Sequence, residues 1–127
     1  MDVTDRVDVG SRLLTAIAAR DYDAIAACFS ASTRFDVLTP HQLRRHASAE
    51  EAAERYRRWL EPLGQFEVLE SDSAPIADRL RIRYRFQGRD PERGWQLNEH
   101  TGYAAVEGGQ IASMTLTCAG FRPVPAP

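Results

Sequence analysis

A chain of 127 residues has room for one domain built on one sizeable core. Apolar residues make up 43% and charged residues 27%, ordinary values for a globular protein. The net charge of −2 and a pI near 5.9 argue against a nucleic-acid or anionic-membrane footprint.

The order of elements is helices first, strands last. Val7, Leu13, Leu14, Ile17 and Ala18 recur at helical spacing, with Thr4 or Asp5 available as an N-cap. Asp21 can cap a second helix over residues 22–29, and residues 33–38 read as a first strand ended by Pro40. Residues 40–47 read as a basic, irregular connector. Ser48 with Glu51 forms a capping box that opens a third helix running to Leu60, and Pro62 with Gly64 stops it. Residues 65–71 and 79–87 follow as strands, the second in strict alternation. After a turn over residues 89–94, two long strands meet at Gly108-Gly109, where glycines supply the φ > 0 that a two-residue hairpin demands. The tail, residues 122–127, is proline-rich and reads as extended and loose.

Side chains alternate along a strand, so Gln96, Asn98, His100, Gly102 and Ala104 share one face. A polar row facing small and apolar partners predicts a lined cavity. The opposite face carries Trp95, Leu97, Thr101 and Tyr103 against Ser113, Thr115 and Thr117, and so apolar an outer face predicts a homodimer of twofold symmetry. Arg79, Arg81, Arg83 and Arg85 read either as an anion-binding surface or as a solvated face paired with carboxylates such as Glu67 and Glu99.

Cys28 and Cys118 lie far apart in sequence, so free buried thiols are expected rather than a disulfide. No spacing of His, Cys, Asp and Glu suits a metal, and no glycine-rich loop suits a phosphate, so neither metal nor cofactor is expected. The acidic start of the chain has no apolar run, and no stretch approaches the roughly 20 apolar residues of a membrane span; a cytoplasmic protein is expected. Every one of the 16 basic residues is arginine, which points to a GC-rich, actinobacterial genome.

The order helix, helix, strand, helix, then four long strands resembles the nuclear-transport-factor-2-like superfamily, and its SnoaL-like branch in particular. The local markers are Arg20 to Ile25 between the first two helices, Ser48 to Ala52 opening the third, Gly109-Gln110-Ile111 before the last strand, and Leu116 to Pro123 at the end. The ending resembles an actinobacterial branch of that group. The resemblance implies an α+β fold, three helices packed on a strongly curved, mostly antiparallel sheet in the shape of a cone. It treats residues 1–127 as a single domain.

The same resemblance implies a hydrophobic pocket for a small molecule and isomerase, cyclase or hydratase chemistry by general acid–base catalysis. A non-catalytic ligand-binding or accessory protein of the same fold is the alternative. By analogy with limonene epoxide hydrolase, Ala112, Met114, Leu116 and Cys118 face the pocket, and Leu116 stands where that enzyme has a carboxylate. By analogy with ketosteroid isomerase, Asp36 matches the general base, while Leu13 and Gly102 replace its other two catalytic groups. Nothing acidic lies on the last strand, where SnoaL carries its acid–base aspartate.

The catalytic candidates are therefore His100, whose ordinary pKa suits proton transfer near neutrality, and Asp36, as base or as the group that orients it. Asn98, Tyr84, Tyr56, Trp59, Met114, Leu116 and Cys118 complete the expected ligand-binding wall. Each has a structural reading too: a core histidine held by a neighbour, an edge carboxylate paired with Arg34, aromatic residues that simply pack. His41 and His46 sit in the connector, where a cone fold has its mouth.

Overall fold

Buried positions along the first helix, Arg6, Val9, Gly10, Leu13, Ala16 and Ile17, recur every three or four residues and form one face. The computed structural model, which describes residues 3–127, folds this segment into α1 (Val3–Ala19). Arg20 ends it at φ 52°, and the Asp21 side chain caps α2 (Tyr22–Ala27) by accepting from Ala24 N–H. In α3 (Ala49–Leu60) the Ser48 hydroxyl accepts from Glu51 N–H while the Glu51 carboxylate takes Ala47 N–H. Ala49, Ala52, Ala53, Tyr56, Trp59 and Leu60 form its buried face.

The strands are β1 (Phe29–Leu38), β2 (Leu43–His46), β3 (Phe66–Ile76), β4 (Arg79–Asp90), β5 (Gly94–Glu107), β6 (Gln110–Cys118) and β7 (Arg122–Pro123). They make one sheet in the order β2-β1-β6-β5-β4-β3, with β7 against β5. The β1–β6 pair is parallel and every other pair is antiparallel. Inward side chains of the sheet and the buried helix faces form one apolar cluster. Arg20 ties the helical layer together, donating to the carbonyls of Leu60, Leu63 and Gly64 at the end of α3 and lying over the Phe66 ring.

Several boundaries differ from the sequence reading. The connector is not irregular, because β2 pairs with β1 and satisfies an edge that would otherwise be bare. Helix α2 stops at Ala27, and β1 begins at Phe29, where Ile111 N–H bonds to the Cys28 carbonyl. Strand β3 continues past Ser71 through Pro75, which an edge strand tolerates. The tail is not wholly loose: Arg122 and Pro123 pair with Leu97 and Gln96, and Val124 N–H bonds to the Trp95 carbonyl. Both cysteines are free and buried, and no helix is long and apolar enough to cross a membrane.

Helix α1 comes close to the sheet at Gly10, where a Cβ would meet Ser73 Oγ at 2.7 Å and Leu80 Cδ2 at 3.1 Å. Gly10→Val should therefore destabilise the fold by about 1–3 kcal/mol, the usual cost of overpacking. Denaturant unfolding followed by circular dichroism checks it, and an unchanged midpoint would remove the close approach.

Candidate functional site

Among the described residues, the inward row of β5 is where polar side chains enter the core at successive inward positions. Gln96, Asn98 and His100 are all buried, and His100 is fully so. Each has to find its partners inside the protein. Gln96 donates to the Arg93 carbonyl at 3.1 Å. Asn98 accepts from Glu99 N–H at 2.8 Å and donates to Cys118 Sγ at 3.5 Å.

His100 is served by a file of hydroxyls. Its Nδ1 lies 2.7 Å from Tyr84 Oη on the neighbouring strand β4, and Tyr84 Oη lies 2.9 Å from Tyr56 Oη on α3. Tyr84 owns one hydroxyl hydrogen for these two neighbours. With Tyr84 donating to Tyr56, His100 must donate from Nδ1, and its Nε2 is a bare acceptor. That nitrogen is buried and has no hydrogen-bond partner among the described residues.

Aromatic rings surround the imidazole. Trp59 of α3 is 4.3 Å away by ring centroids, Tyr84 5.1 Å and Phe86 5.4 Å, the last two edge-on. Burial in this shell lowers the His100 pKa to about 3, so the ring is neutral at any physiological pH. Burial likewise raises both tyrosine pKa values, keeping their hydroxyls protonated.

The structure thus brings His100, Tyr84, Tyr56, Trp59, Asn98 and Cys118 together. Met114 and Leu116 are buried on the adjoining strand, and they fill the space beside Gly102: a Cβ there would meet Leu116 Cδ1 at 2.8 Å. Side chains therefore occupy much of the expected cavity. Three recesses of about 420, 490 and 420 Å³ open elsewhere. One lies on the outer sheet face, one beside the tail and one on the surface of α1 and α2.

Asp36 does not join His100. On β1 the inward residues are Thr33, Phe35 and Val37, while Asp36 faces the other side of the sheet, opposite Arg45 and Thr115. Ala112 also departs from its expected parity. The β5–β6 register slips between Ala105 and Val106, so Ile111 and Met114 both turn inward and Ala112 is only half-buried.

The arginine row of β4 pairs with carboxylates, Arg83 with Asp72 at 3.0 Å and Arg85 with Glu99 at 3.4 Å. Leu97, expected on an exposed face, is buried within the single chain. Among the described residues no group of His, Cys, Asp and Glu could hold a metal ion.

One arrangement was not read from the sequence. His46 Nδ1 lies 3.0 Å from the Phe35 carbonyl, and Arg55 Nε donates to His46 Nε2 at 3.2 Å. The only sequence cue was a histidine near the expected mouth.

Neither a family model nor a curated protein matches the chain. Solved structures do match it. A nuclear-transport-factor-2-like protein from Burkholderia xenovorans superposes with a TM-score of 0.70 at 11% identity, over 93% of this chain and 92% of that one. An epoxide hydrolase from M. tuberculosis, of the LEH-like kind, gives 0.67 at 13%, over 91% and 84%. A Catenulispora acidiphila protein of ketosteroid isomerase-like fold, in complex with trimethylamine, gives 0.69 at 12%, over 85% and 82%. The likeness is one of fold: this chain has the fold that these structures share, the nuclear-transport-factor-2-like fold of the first among them.

Tyr84→Phe removes the hydroxyl that joins Tyr56 to His100 and strands two buried polar groups. It should cost about 1–3 kcal/mol in denaturant unfolding. The unfolded chain takes up a proton at His100 near pH 6.5, whereas the folded chain does so only near pH 3. Stability from this group is therefore complete above pH 6.5 and falls as the pH drops toward 3, by at most about 1.4 kcal/mol per unit. An NMR titration should show the His100 ring resonances flat from pH 8 to 5. A midpoint near 6.5 would overturn the buried, neutral assignment.

Proposed function

We propose that this protein binds an apolar small molecule at the His100 end of the sheet, with a donor group of the ligand completing the bare Nε2. The observation that carries the reading is that nitrogen itself. An unpartnered acceptor in a dry aromatic shell costs roughly 1–3 kcal/mol, and a ligand hydroxyl or N–H would recover it. The aromatic rings of Trp59, Tyr84 and Phe86 supply the apolar walls such sites use. Entry requires Trp59 to swing aside. Though buried, at 8% exposed it is the least covered of the three rings, against 1% for Tyr84 and 0% for Phe86.

An acid–base enzyme is the second reading, favoured by the file from His100 through Tyr84 to Tyr56, along which a proton taken by Nε2 could be balanced. Solved structures of this fold include an epoxide hydrolase of the LEH-like kind. Two facts weigh against it here. Asp36 faces away from His100, and an imidazolium pKa near 3 makes a weak base at neutrality. We further infer a twofold dimer through the outer face around Tyr103, which is 49% exposed. A standard interface buries roughly 1,600 Å² in total.

Phenol, which has a donor, should bind better than anisole, which lacks one, by roughly tenfold, the worth of one hydrogen bond. In His100→Leu the preference should vanish. Trp59 fluorescence or ligand-observed NMR reads both affinities. Equal binding of phenol and anisole by the unaltered protein would sink the reading. For association, sedimentation at micromolar concentration should give a dimer, and Tyr103→Glu should give a folded monomer.

A further inference from the structure

Two arginines at the edge of the sheet have neutral side-chain partners where Arg57 and Arg58 of α3 have carboxylates. On α3, Arg57 and Arg58 pair with Glu54, and Arg57 also with Glu61. Arg55, half-buried on the same helix, makes no ion pair among the described residues. Its Nε–H is given to His46 Nε2. Arg44, on the same side of β2 as His46, is received by the Gln42 amide oxygen at 2.9 and 2.7 Å once that amide faces it.

The histidine is fixed in one protonation state by this geometry. Its Nδ1 faces the Phe35 carbonyl, so the proton is there, and Nε2 is left as the acceptor for Arg55. His46 therefore holds one edge of the guanidinium, and among the described residues the two Nη groups have no hydrogen-bond partner. Those groups are not sealed in the core. The nearby carboxylates have other tasks: Glu54 faces Arg57 and Arg58, and Glu51 accepts Ala47 N–H. The result is an oriented cation in a partly desolvated place with no carboxylate in ion-pair contact among the described residues, an arrangement that costs free energy until an anion arrives.

We propose that Arg55, positioned by His46 and supported by Arg44, is a recognition site for an oxyanion, a carboxylate or phosphate borne by a small organic molecule. The free end of the guanidinium presents two N–H groups in the fork that such oxyanions accept. The site adjoins the His100 region without depending on the reading given to it. Tyr56, the residue after Arg55 on α3, is joined to His100 through the Tyr84 hydroxyl. Burial, then repulsion from Arg44 and Arg58, lowers the Arg55 pKa, as expected of a cation lacking its anion.

The test uses benzoate and phenyl phosphate as oxyanion probes and benzamide as the neutral control. Side-chain NMR follows the Arg55 Nε–H resonance. Both anions should shift it saturably, benzamide should not, and added chloride salt should weaken the effect. Stronger binding of phenyl phosphate would point to a phosphate ligand, and stronger benzoate to a carboxylate. Arg55→Gln should weaken the anions by roughly tenfold to a hundredfold, the range of a charge-assisted hydrogen bond. Arg45→Gln, an exposed arginine on the other side of β2, should leave them unchanged. His100→Leu separates the two ideas: loss of phenol selectivity with retained benzoate binding supports both, and the Arg55 arm can fail alone. Anions that bind no better than benzamide, or bind Arg55→Gln as well as the unaltered chain, would overturn the proposal.

Discussion

Hydrogen bonds that polar residues of β5 must make inside an apolar core set the terms for everything around them. Burying an imidazole, an amide or a phenol without a partner costs a few kcal/mol, and this strand carries a histidine and two amides inward. The solution for His100 crosses three elements, β5 to β4 to α3, through two hydroxyls. Because Tyr56 is stacked on Phe35 at 5.8 Å and edge-on to Trp59 at 5.2 Å, that polar file is also the aromatic core. Polar satisfaction and apolar packing are thus one constraint, and it fixes where α3 can lie on the sheet.

Placement of α3 then governs both regions of chemical interest. Tyr56 and Trp59 project from its buried face toward His100, while Arg55, one residue before Tyr56, comes out at the edge toward His46. The helix is secured at its start by the Ser48–Glu51 box and at its end by Arg20, whose guanidinium takes three of the carbonyls there. The helix therefore has a rigid seat at both ends.

Much of this was legible in the sequence where a strong period existed. The parity of β5 placed Asn98, His100, Gly102 and Ala104 on one face because side-chain alternation has no freedom across an uninterrupted strand. The capping box and the Gly108-Gly109 turn, with φ of 57° and 74°, carried their own mechanisms. The failures are of a different kind. A bulge at Ala112 shifts parity through backbone pairing with β5, which no local pattern encodes. Leu97 is buried by the monomer, although its face elsewhere is open, and a two-residue pairing of the tail lies alongside it. Asp36 resembled a catalytic base by its position after Ser32-Thr33, yet strand parity aims it at Arg45 and Thr115.

The hardest feature to read was the one built from two weak signals. His46 lay in a segment that looked like a loop, and Arg55 was one of several arginines on an amphipathic helix. Their meeting depends on β2 pairing with β1 so that His46 comes to Phe35 and faces α3. Charge counts could not reveal it, since the chain is close to neutral overall. What distinguishes Arg55 is the identity of its partner: a neutral imidazole orients a guanidinium without cancelling its charge, whereas a carboxylate would do both. A histidine chosen for that position therefore preserves the positive field that a salt bridge would have consumed.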